Sequence, residues 1–143
     1  MNATIERFGY PATLVADYEH WVVLLRPAQP TLGSLILAAK GDYLAFSDLP
    51  SAAFEQMHEV VGAIETTLAK AVGYQKLNYL MLMMVDPHVH YHVIPRYDGE
   101  RSHGPIAIGD PGWPKLPELG NAMLLDEGQV AILAEWLKGL WPG

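Results

Sequence analysis

The sequence predicts one domain of the α+β class, in which five strands are combined with a long helix and a C-terminal helix. The chain has 143 residues, enough for a domain of ordinary size and too few for a (β/α)₈ barrel, which needs about 250. Apolar residues make up 50% of the chain, so it can bury a core. We expect one domain over residues 1–143, with a core of about residues 10–100 and a C-terminal loop and helix in residues 101–143.

The first predicted elements are a short helix and a β-hairpin. Asn2 is a suitable N-cap for a helix that contains Ile5 and Phe8, and the Gly-Tyr-Pro sequence after Phe8 ends it. Residues 13–16 and Trp21–Leu25 are rich in β-forming side chains. Because only a short polar segment separates them, these two strands are expected to pair as a hairpin.

A third strand and the long helix follow. Leu35–Ala39 is apolar throughout, which predicts a buried strand. In Ser51–Val72, apolar residues recur at spacings of three and four with charged residues between them, as in an amphipathic helix. Pro50 before this segment and Gly73 after it are typical of helix boundaries. The apolar positions of this predicted helix are Phe54, Met57, Val61, Ile64, Leu68 and Val72.

Two more strands are predicted before Arg96. Residues 77–85 are apolar on both sides of the strand alternation, which is typical of a central strand covered on both faces. After a brief Asp-Pro interruption, residues 89–94 alternate until Pro95. We expect a fifth strand there, antiparallel to the fourth and ended by Pro95.

The last part of the chain is predicted to be a loop followed by a helix. Residues 98–119 contain several Gly and Pro turn signals, which predict an ordered but irregular loop. Asp126 and Gln129 have the spacing of a capping pair, and apolar residues at helical spacing follow them. The C-terminal helix is therefore expected at about residues 126–140.

Charge and cysteine content exclude several functions. The net charge of −7 argues against nucleic acid or an anionic membrane as a partner. The absence of cysteine excludes disulfides, thiolate zinc sites and a cysteine nucleophile. The N-terminus has no basic leader followed by an apolar stretch, and residues 79–85, the densest apolar run, are far fewer than the ~20 of a spanning helix. A cytoplasmic protein without a membrane partner is expected.

Three histidines, His88, His90 and His92, occupy alternate positions of the predicted fifth strand. Their imidazoles should project from one face, with successive rings ~6.6 Å apart at the rise of a strand. Such a cluster has three interpretations. The rings are structural side chains on a sheet face, they hold Zn²⁺ or another transition metal, or one ring is a nucleophile toward phosphorus that its neighbours orient. The third interpretation fits the rest of the sequence best.

Residues 88–94 read HVHYHVI and are followed by Pro95 and Arg96. This segment resembles the His-φ-His-φ-His-φ-φ signature, with φ apolar, of the histidine triad (HIT) superfamily of nucleotide hydrolases and transferases. The resemblance covers residues 21–96 and is that of a divergent, bacterial-type member. It implies a HIT-like fold with a five-stranded antiparallel sheet, a long helix at about residues 51–72 and a C-terminal helix at about residues 126–140. It also implies a homodimer that binds a purine nucleotide or nucleotide conjugate, with no cofactor and no resident metal.

The resemblance also implies roles for the three histidines. His90 would be the nucleophile that attacks the α-phosphorus of a nucleotide conjugate and gives a covalent nucleotidyl-histidine intermediate. Since the attacking nitrogen must be unprotonated, the other ring nitrogen of His90 should donate to a fixed acceptor such as a backbone carbonyl. His88 and His92 would assist the leaving group and stabilise negative charge on the phosphoryl oxygens.

The chain departs from the family pattern at three places. Ser34 follows Gly33 where many members carry Gly-His, and residues 85–87 replace a glycine-rich turn whose Gln and Ser or Thr usually contact phosphate. Leu25 aligns approximately with a ribose-contacting Asn. These departures keep two alternatives open: a nucleotide-binding regulatory module with weak or no catalysis, and a His-based metal-binding protein.

Ser34, Asp86 and Arg96 are the candidate substrate-binding residues. Ser34 stands where the supporting histidine would be. Asp86 is expected either to orient a triad imidazole or to stabilise the turn into Pro87. Arg96 is expected either to contact phosphate or to be a solvated charge after the strand.

Overall fold

The structure is a computed structural model that describes residues 1–143. Five strands form one antiparallel sheet, and four others form two separate two-stranded pairs. The predicted α+β class and five-stranded antiparallel sheet are confirmed. In chain order the elements are α1 (Ala3–Arg7), β1 (Leu14–Asp17), β2 (Trp21–Leu25), β3 (Ala28–Gln29), β4 (Leu35–Ala39), a 3₁₀ turn (Phe46–Asp48), α2 (Ser51–Val72), β5 (Lys76–Leu80), β6 (His90–Arg96), β7 (Glu100–His103), β8 (Ile106–Gly109), β9 (Met123–Leu124) and α3 (Glu127–Leu140).

The five-stranded sheet has the spatial order β1-β2-β4-β6-β5, and every neighbouring pair is antiparallel. The β1–β2 pair is the predicted hairpin, with Asp17 opposite Val22. β6 has a neighbour on each side, since His92 lies opposite Ile36 of β4 and opposite Leu80 of β5. The histidine strand is therefore fixed on both sides, whereas β5 is an edge strand.

One face of the sheet packs against α2 and α3. Val23 and Leu37 of the sheet are fully buried there with Leu68 of α2 and Leu133 of α3. α2 has the predicted bounds, and its amphipathic pattern supplies the apolar side that covers the sheet. The main core therefore lies between the sheet and these two helices.

The opposite face of the sheet packs against the N-terminal segment. Ile5 of α1 is fully buried in a second, smaller apolar cluster with Leu24 and Ile36. Asn2 caps α1 as predicted: its side-chain oxygen accepts the Ile5 N–H at 2.9 Å, and its amide donates to the carbonyl of Ala39 at 3.1 Å. α1 is thus attached to this face by both apolar and polar contacts.

α3 begins with the predicted capping box. The side-chain oxygen of Asp126 accepts a hydrogen bond from the backbone N–H of Gln129 at 2.8 Å. The side-chain oxygen of Gln129 accepts a hydrogen bond from the backbone N–H of Asp126 at 3.0 Å. Two N–H groups at the start of the helix are satisfied in this way. None of the three helices is both long enough and apolar enough to cross a membrane.

The strand predicted as central at residues 77–85 is instead the edge strand Lys76–Leu80. The chain leaves the sheet after Leu80, and Met84 and Val85 are 85% and 79% exposed. Met83 has a φ of 50°, a left-handed conformation in which a strand cannot continue. The prediction was wrong because it assumed that apolar side chains on both faces of a strand are covered by other elements. After Leu80 the chain has left the sheet, and apolar side chains there are exposed instead.

Two further predictions need correction. β6 continues through Pro95 to Arg96, beyond its predicted end. Because β6 pairs with β4 only as far as Val93, Pro95 lies where the strand has one neighbour, and its missing N–H is tolerated. The predicted irregular loop at residues 98–119 begins with the β7–β8 hairpin, whose turn contains Gly104 at a φ of 55°. The Gly-Pro signal there marks a hairpin turn.

Candidate active site

β6 brings two of the three histidine rings together on the face that α1 covers. His90 and His92 are alternate residues of the strand, and their ring centroids are 5.1 Å apart. Phe8, just after α1, lies 5.5 Å from the His90 ring and 5.9 Å from the His92 ring. Only 1% of His90 and 8% of His92 are exposed. The centre of the site is a pair of imidazoles held between the sheet and the N-terminal segment.

The His90 ring is oriented by the backbone of the same strand. Its Nδ1 lies 2.6 Å from the carbonyl oxygen of His88. A carbonyl oxygen can only accept, so Nδ1 carries a proton, and in the neutral ring Nε2 carries the lone pair. This is the arrangement that a nucleophilic imidazole requires.

The His92 ring is held in the opposite tautomer. Arg26 Nε donates to Nδ1 of His92 at 3.2 Å, so the ring proton of a neutral His92 lies on Nε2. Burial, followed by the positive charges of Arg26 and His90, lowers the pKa of His92 to about 4, against a smaller opposing effect of Asp86. His92 is therefore neutral at pH 7 and presents an N–H donor.

The Nε2 atoms of His90 and His92 are open to a ligand. Neither forms a hydrogen bond within the protein, in contrast to the two Nδ1 atoms. Thr67 Oγ1 is the only fully enclosed side-chain nitrogen or oxygen that lacks a partner. Both Nε2 atoms therefore retain contact with solvent although the rings are largely buried. A lone pair and an N–H donor are presented by neighbouring rings.

His88 precedes β6, and its ring points elsewhere. Its Nδ1 lies 2.8 Å from the hydroxyl of Thr4, and its Nε2 lies 3.4 Å from the carboxylate of Asp42. The structure thus joins His90 and His92 closely, while His88 lies at the side of the site next to an exposed carboxylate. No three histidine or carboxylate side chains lie close enough together to hold a metal ion.

Ser34 and Asp86 make contacts within the protein. Ser34 is fully buried, and its hydroxyl donates to the carbonyl of Thr31 at 2.9 Å. The carboxylate of Asp86 pairs with Arg7 at 2.8 Å and forms no hydrogen bond to an imidazole. The charge of Asp86 favours the protonated form of His92. A direct contact of either residue with a substrate stays a prediction.

Arg96 is buried rather than solvated. It is 4% exposed, and its Nε and Nη2 donate to the two carboxylate oxygens of Asp110 at 2.7 and 3.2 Å. Nη1 donates to the side-chain oxygen of Asn78 at 2.9 Å. The expectation of a solvated charge is therefore wrong, because the guanidinium forms a buried, bidentate ion pair. A contact between Arg96 and phosphate stays a prediction.

Arg26 is the site residue that sequence reasoning missed. Leu25 was aligned with the family's ribose-contacting position, but Leu25 is fully buried in the main core on the helix-covered face. The next residue, Arg26, reaches His92 instead. The alternation of β2 contained the signal, because Val22, Leu24 and position 26 lie on one side of the strand. The alternation of side chains along β2 therefore places Arg26 on the same face as the histidines, and this could have been read from the sequence.

The sequence matches no protein-family model and no curated protein. Its structure is similar to solved structures of histidine triad proteins. One from Sinorhizobium meliloti has a TM-score of 0.74 at 22% identity, over 97% of this chain and 94% of that chain. One from Bradyrhizobium japonicum has a TM-score of 0.69 at 18% identity, over 99% and 96% of the two chains.

A third similar structure is the diadenosine triphosphate hydrolase of Plasmodium falciparum, with a TM-score of 0.68 at 11% identity, over 90% of this chain and 76% of that chain. The three alignments cover 99%, 97% and 90% of this chain. This chain therefore has the fold of the histidine triad proteins.

Proposed function

We propose that this protein is a histidine triad nucleotidyl hydrolase or transferase that acts on the α-phosphate of a nucleotide conjugate through His90. The observation that carries the proposal is the pair of opposite tautomers: His90 offers an Nε2 lone pair, and His92 offers an Nε2–H beside it. The similarity to a diadenosine triphosphate hydrolase supports a purine nucleotide as the substrate class.

The proposed reaction has two steps. First, the lone pair on Nε2 of His90 bonds to the α-phosphorus, while the bond from phosphorus to the leaving group breaks and its electron pair departs with that group. Second, the oxygen of water or of another acceptor bonds to phosphorus and gives its proton to His88, which released one to the leaving group in the first step, and the electron pair of the N–P bond returns to His90. The nucleotidyl-histidine intermediate exists between the two steps.

His92 and His88 are proposed to act on different parts of the substrate. The Nε2–H of His92, in a largely buried site, donates to a phosphoryl oxygen and stabilises the negative charge that grows on it during attack. His88 lies at the side of the site, next to the exposed carboxylate of Asp42. We therefore assign His88 to the proton that the leaving group takes up on departure.

The second candidate is a nucleotide-binding module with weak or no catalysis. It is favoured by one observation: Ser34 and Asp86 are engaged inside the protein, so neither replaces the phosphate contacts of the glycine-rich turn. Tight binding of AMP in calorimetry without detectable product from nucleotide conjugates would support this candidate. Readily measured turnover of these conjugates would count against it.

We also propose that the protein is a homodimer formed through β5. This edge strand leaves backbone groups available for pairing, and the adjoining Leu82, Met84 and Val85 are exposed. A second copy is the occupant that fits, because antiparallel pairing of two identical edges is self-complementary about a twofold axis. The low content of charged residues, 17%, suits a chain that buries part of its surface in this way.

The decisive experiment is intact-mass measurement after brief exposure to a panel of nucleotide conjugates, followed by peptide mapping. The wild type is expected to gain one nucleotidyl group on His90. His90→Asn is expected to gain none and to lose turnover by at least 10³-fold, whereas removal of the exposed helical histidine in His58→Asn should change neither result. Equal turnover of the wild type and His90→Asn would overturn the proposal.

A further inference from the structure

Arg26 carries a positive charge beside the triad without a protein anion to balance it. Its Nε donates to Nδ1 of His92 at 3.2 Å, and its Nη1 donates to the carbonyl of Ala28 at 2.6 Å. None of the five ion pairs in the structure includes Arg26. Burial lowers the pKa of its guanidinium, but arginine keeps its charge in proteins. The charge is therefore real and uncompensated.

Arg96 shows how the same fold treats a buried arginine that has a structural role. Its guanidinium is paired with both oxygens of Asp110 and with Asn78. A cation taken out of water without such a partner is unfavourable, because the lost hydration is not replaced. Arg26 is only partly buried, but it lacks the carboxylate partner that Arg96 has, and an anionic ligand would supply one.

Arg26 also has a donor to spare. Nη2 makes no hydrogen bond with the protein, whereas Nε and Nη1 each make one. Nη2 is not a fully enclosed atom, since Thr67 Oγ1 is the only enclosed polar side-chain atom without a partner. A guanidinium nitrogen next to the histidine pair therefore has N–H groups free for a ligand.

We propose that Arg26 binds an anionic phosphoryl oxygen of the substrate through Nη2, alongside the Nε2–H of His92. This inference rests on the proposed function and names the phosphate-binding group of its site. Arg26 would supply the contact that the sequence lacks at residues 85–87, from the other end of the sheet's histidine face. The same side chain fixes the tautomer of His92, so phosphate binding and orientation of the donor ring depend on one guanidinium.

The test compares binding of AMP and adenosine by calorimetry in the wild type, Arg26→Met and Arg26→Lys. The wild type should prefer AMP, which carries the phosphate. Arg26→Met should weaken AMP binding by about 10- to 100-fold, the worth of a charge-assisted hydrogen bond, and leave adenosine binding unchanged. Arg26→Lys keeps the charge without the fork of donors and should lie between them. Lys40→Met removes a cation paired with Asp17 and should behave as the wild type.

The outcomes separate this inference from the proposed function. If Arg26→Met binds AMP as tightly as the wild type while the wild type prefers AMP over adenosine, a nucleotide site exists and Arg26 is not its phosphate contact. If the wild type binds neither compound nor any conjugate of the panel, the proposed function fails and the inference fails with it. Arg26→Met is expected to fold because it removes an unpaired buried charge. Guanidinium ¹⁵N shifts provide a check without any variant: added AMP should shift Nη2 of Arg26 in the wild type, and an unmoved signal under saturating AMP would overturn the inference.

Discussion

His90 and His92 present different atoms to the same space because different groups hold their Nδ1 atoms. The carbonyl of His88 requires a proton on Nδ1 of His90, and the guanidinium of Arg26 requires a lone pair on Nδ1 of His92. Attack on phosphorus needs a nucleophile and an oxyanion donor at neighbouring points. The nucleophile on His90 and the donor on His92 are each fixed by one hydrogen bond at Nδ1. The chemistry of the pair therefore depends on these two hydrogen bonds.

The low pKa of His92 gives a prediction for stability. In the folded protein this pKa is about 4, whereas the ordinary value is 6.5. Between these values the unfolded chain binds more protons than the folded one, so the free energy of unfolding should fall as the pH is lowered from 6.5 to 4. The measurement is urea denaturation across that range. His92→Asn, whose amide oxygen still accepts from Arg26, should show a smaller fall.

His58→Asn is the matched control for this prediction, because His58 is exposed on α2. It should retain the wild-type dependence on pH. Identical profiles for His92→Asn and the wild type would contradict the assignment of this pH dependence to His92.

The site was predictable as far as local rules extend. Alternation placed His90 and His92 on one face, and the chemistry of imidazole required an acceptor for the nucleophile, which the His88 carbonyl supplies. The partners of Arg96 and Arg26 were not predictable, because they come from segments distant in sequence. Whether an arginine meets a carboxylate such as Asp110 or an imidazole is decided by the packing of loops, which single-residue patterns do not contain.

At the scale of elements, the β7–β8 hairpin is attached to the sheet through polar groups. Asp110, directly after β8, is fully enclosed and pairs with Arg96 at the end of β6. The hydroxyl of Tyr97 donates to the carbonyl of Ile108 and accepts the N–H of Leu32, both at 2.7 Å. The hairpin is thus joined to β6 and to the segment before β4, and the ion pair is its most demanding contact.

Loss of Asp110 should therefore destabilise the protein strongly. Asp110→Ala leaves the Arg96 charge buried with only Asn78 as partner, which is expected to cost about 3–5 kcal/mol in the free energy of unfolding. Urea denaturation at pH 7 measures this. Asp17→Ala breaks a half-exposed ion pair with Lys40 and should cost less than about 1 kcal/mol. Equal losses for the two variants would show that the Arg96–Asp110 pair has no structural role beyond that of a surface pair.

Elements with strong local signals were predicted well, and those defined by their surroundings were not. The amphipathic spacing and flanking Pro50 and Gly73 gave the bounds of α2, and the Asp126–Gln129 pair gave the start of α3. By contrast, residues 77–85 have the apolar pattern of a buried strand. This pattern indicates that the side chains are unfavourable in water. It does not distinguish burial within the chain from burial against another molecule.

At the scale of the whole molecule, the two faces of the sheet are covered, and its two edges, β1 and β5, have no further strand beside them. α2 and α3 cover one face, and α1 with the histidine pair occupies the other. β5 ends the sheet without a neighbour, and the apolar segment after it is exposed. The sequence feature that misled the strand prediction is thus the same feature that supports association of two copies.

This arrangement predicts a dimer that a local change can dissociate. Light scattering at micromolar concentration should give a mass of twice 15.8 kDa for the wild type. Met84→Asp combined with Val85→Asp places like charges beside the paired edges and should give a monomer, because apolar burial is lost and the charges repel. Leu124→Asp changes a residue that is also 77% exposed but lies in β9, which pairs with β3 outside the five-stranded sheet, and it should stay dimeric. A monomeric wild type would remove the proposed interface. Dissociation by Leu124→Asp alone would place the interface away from β5.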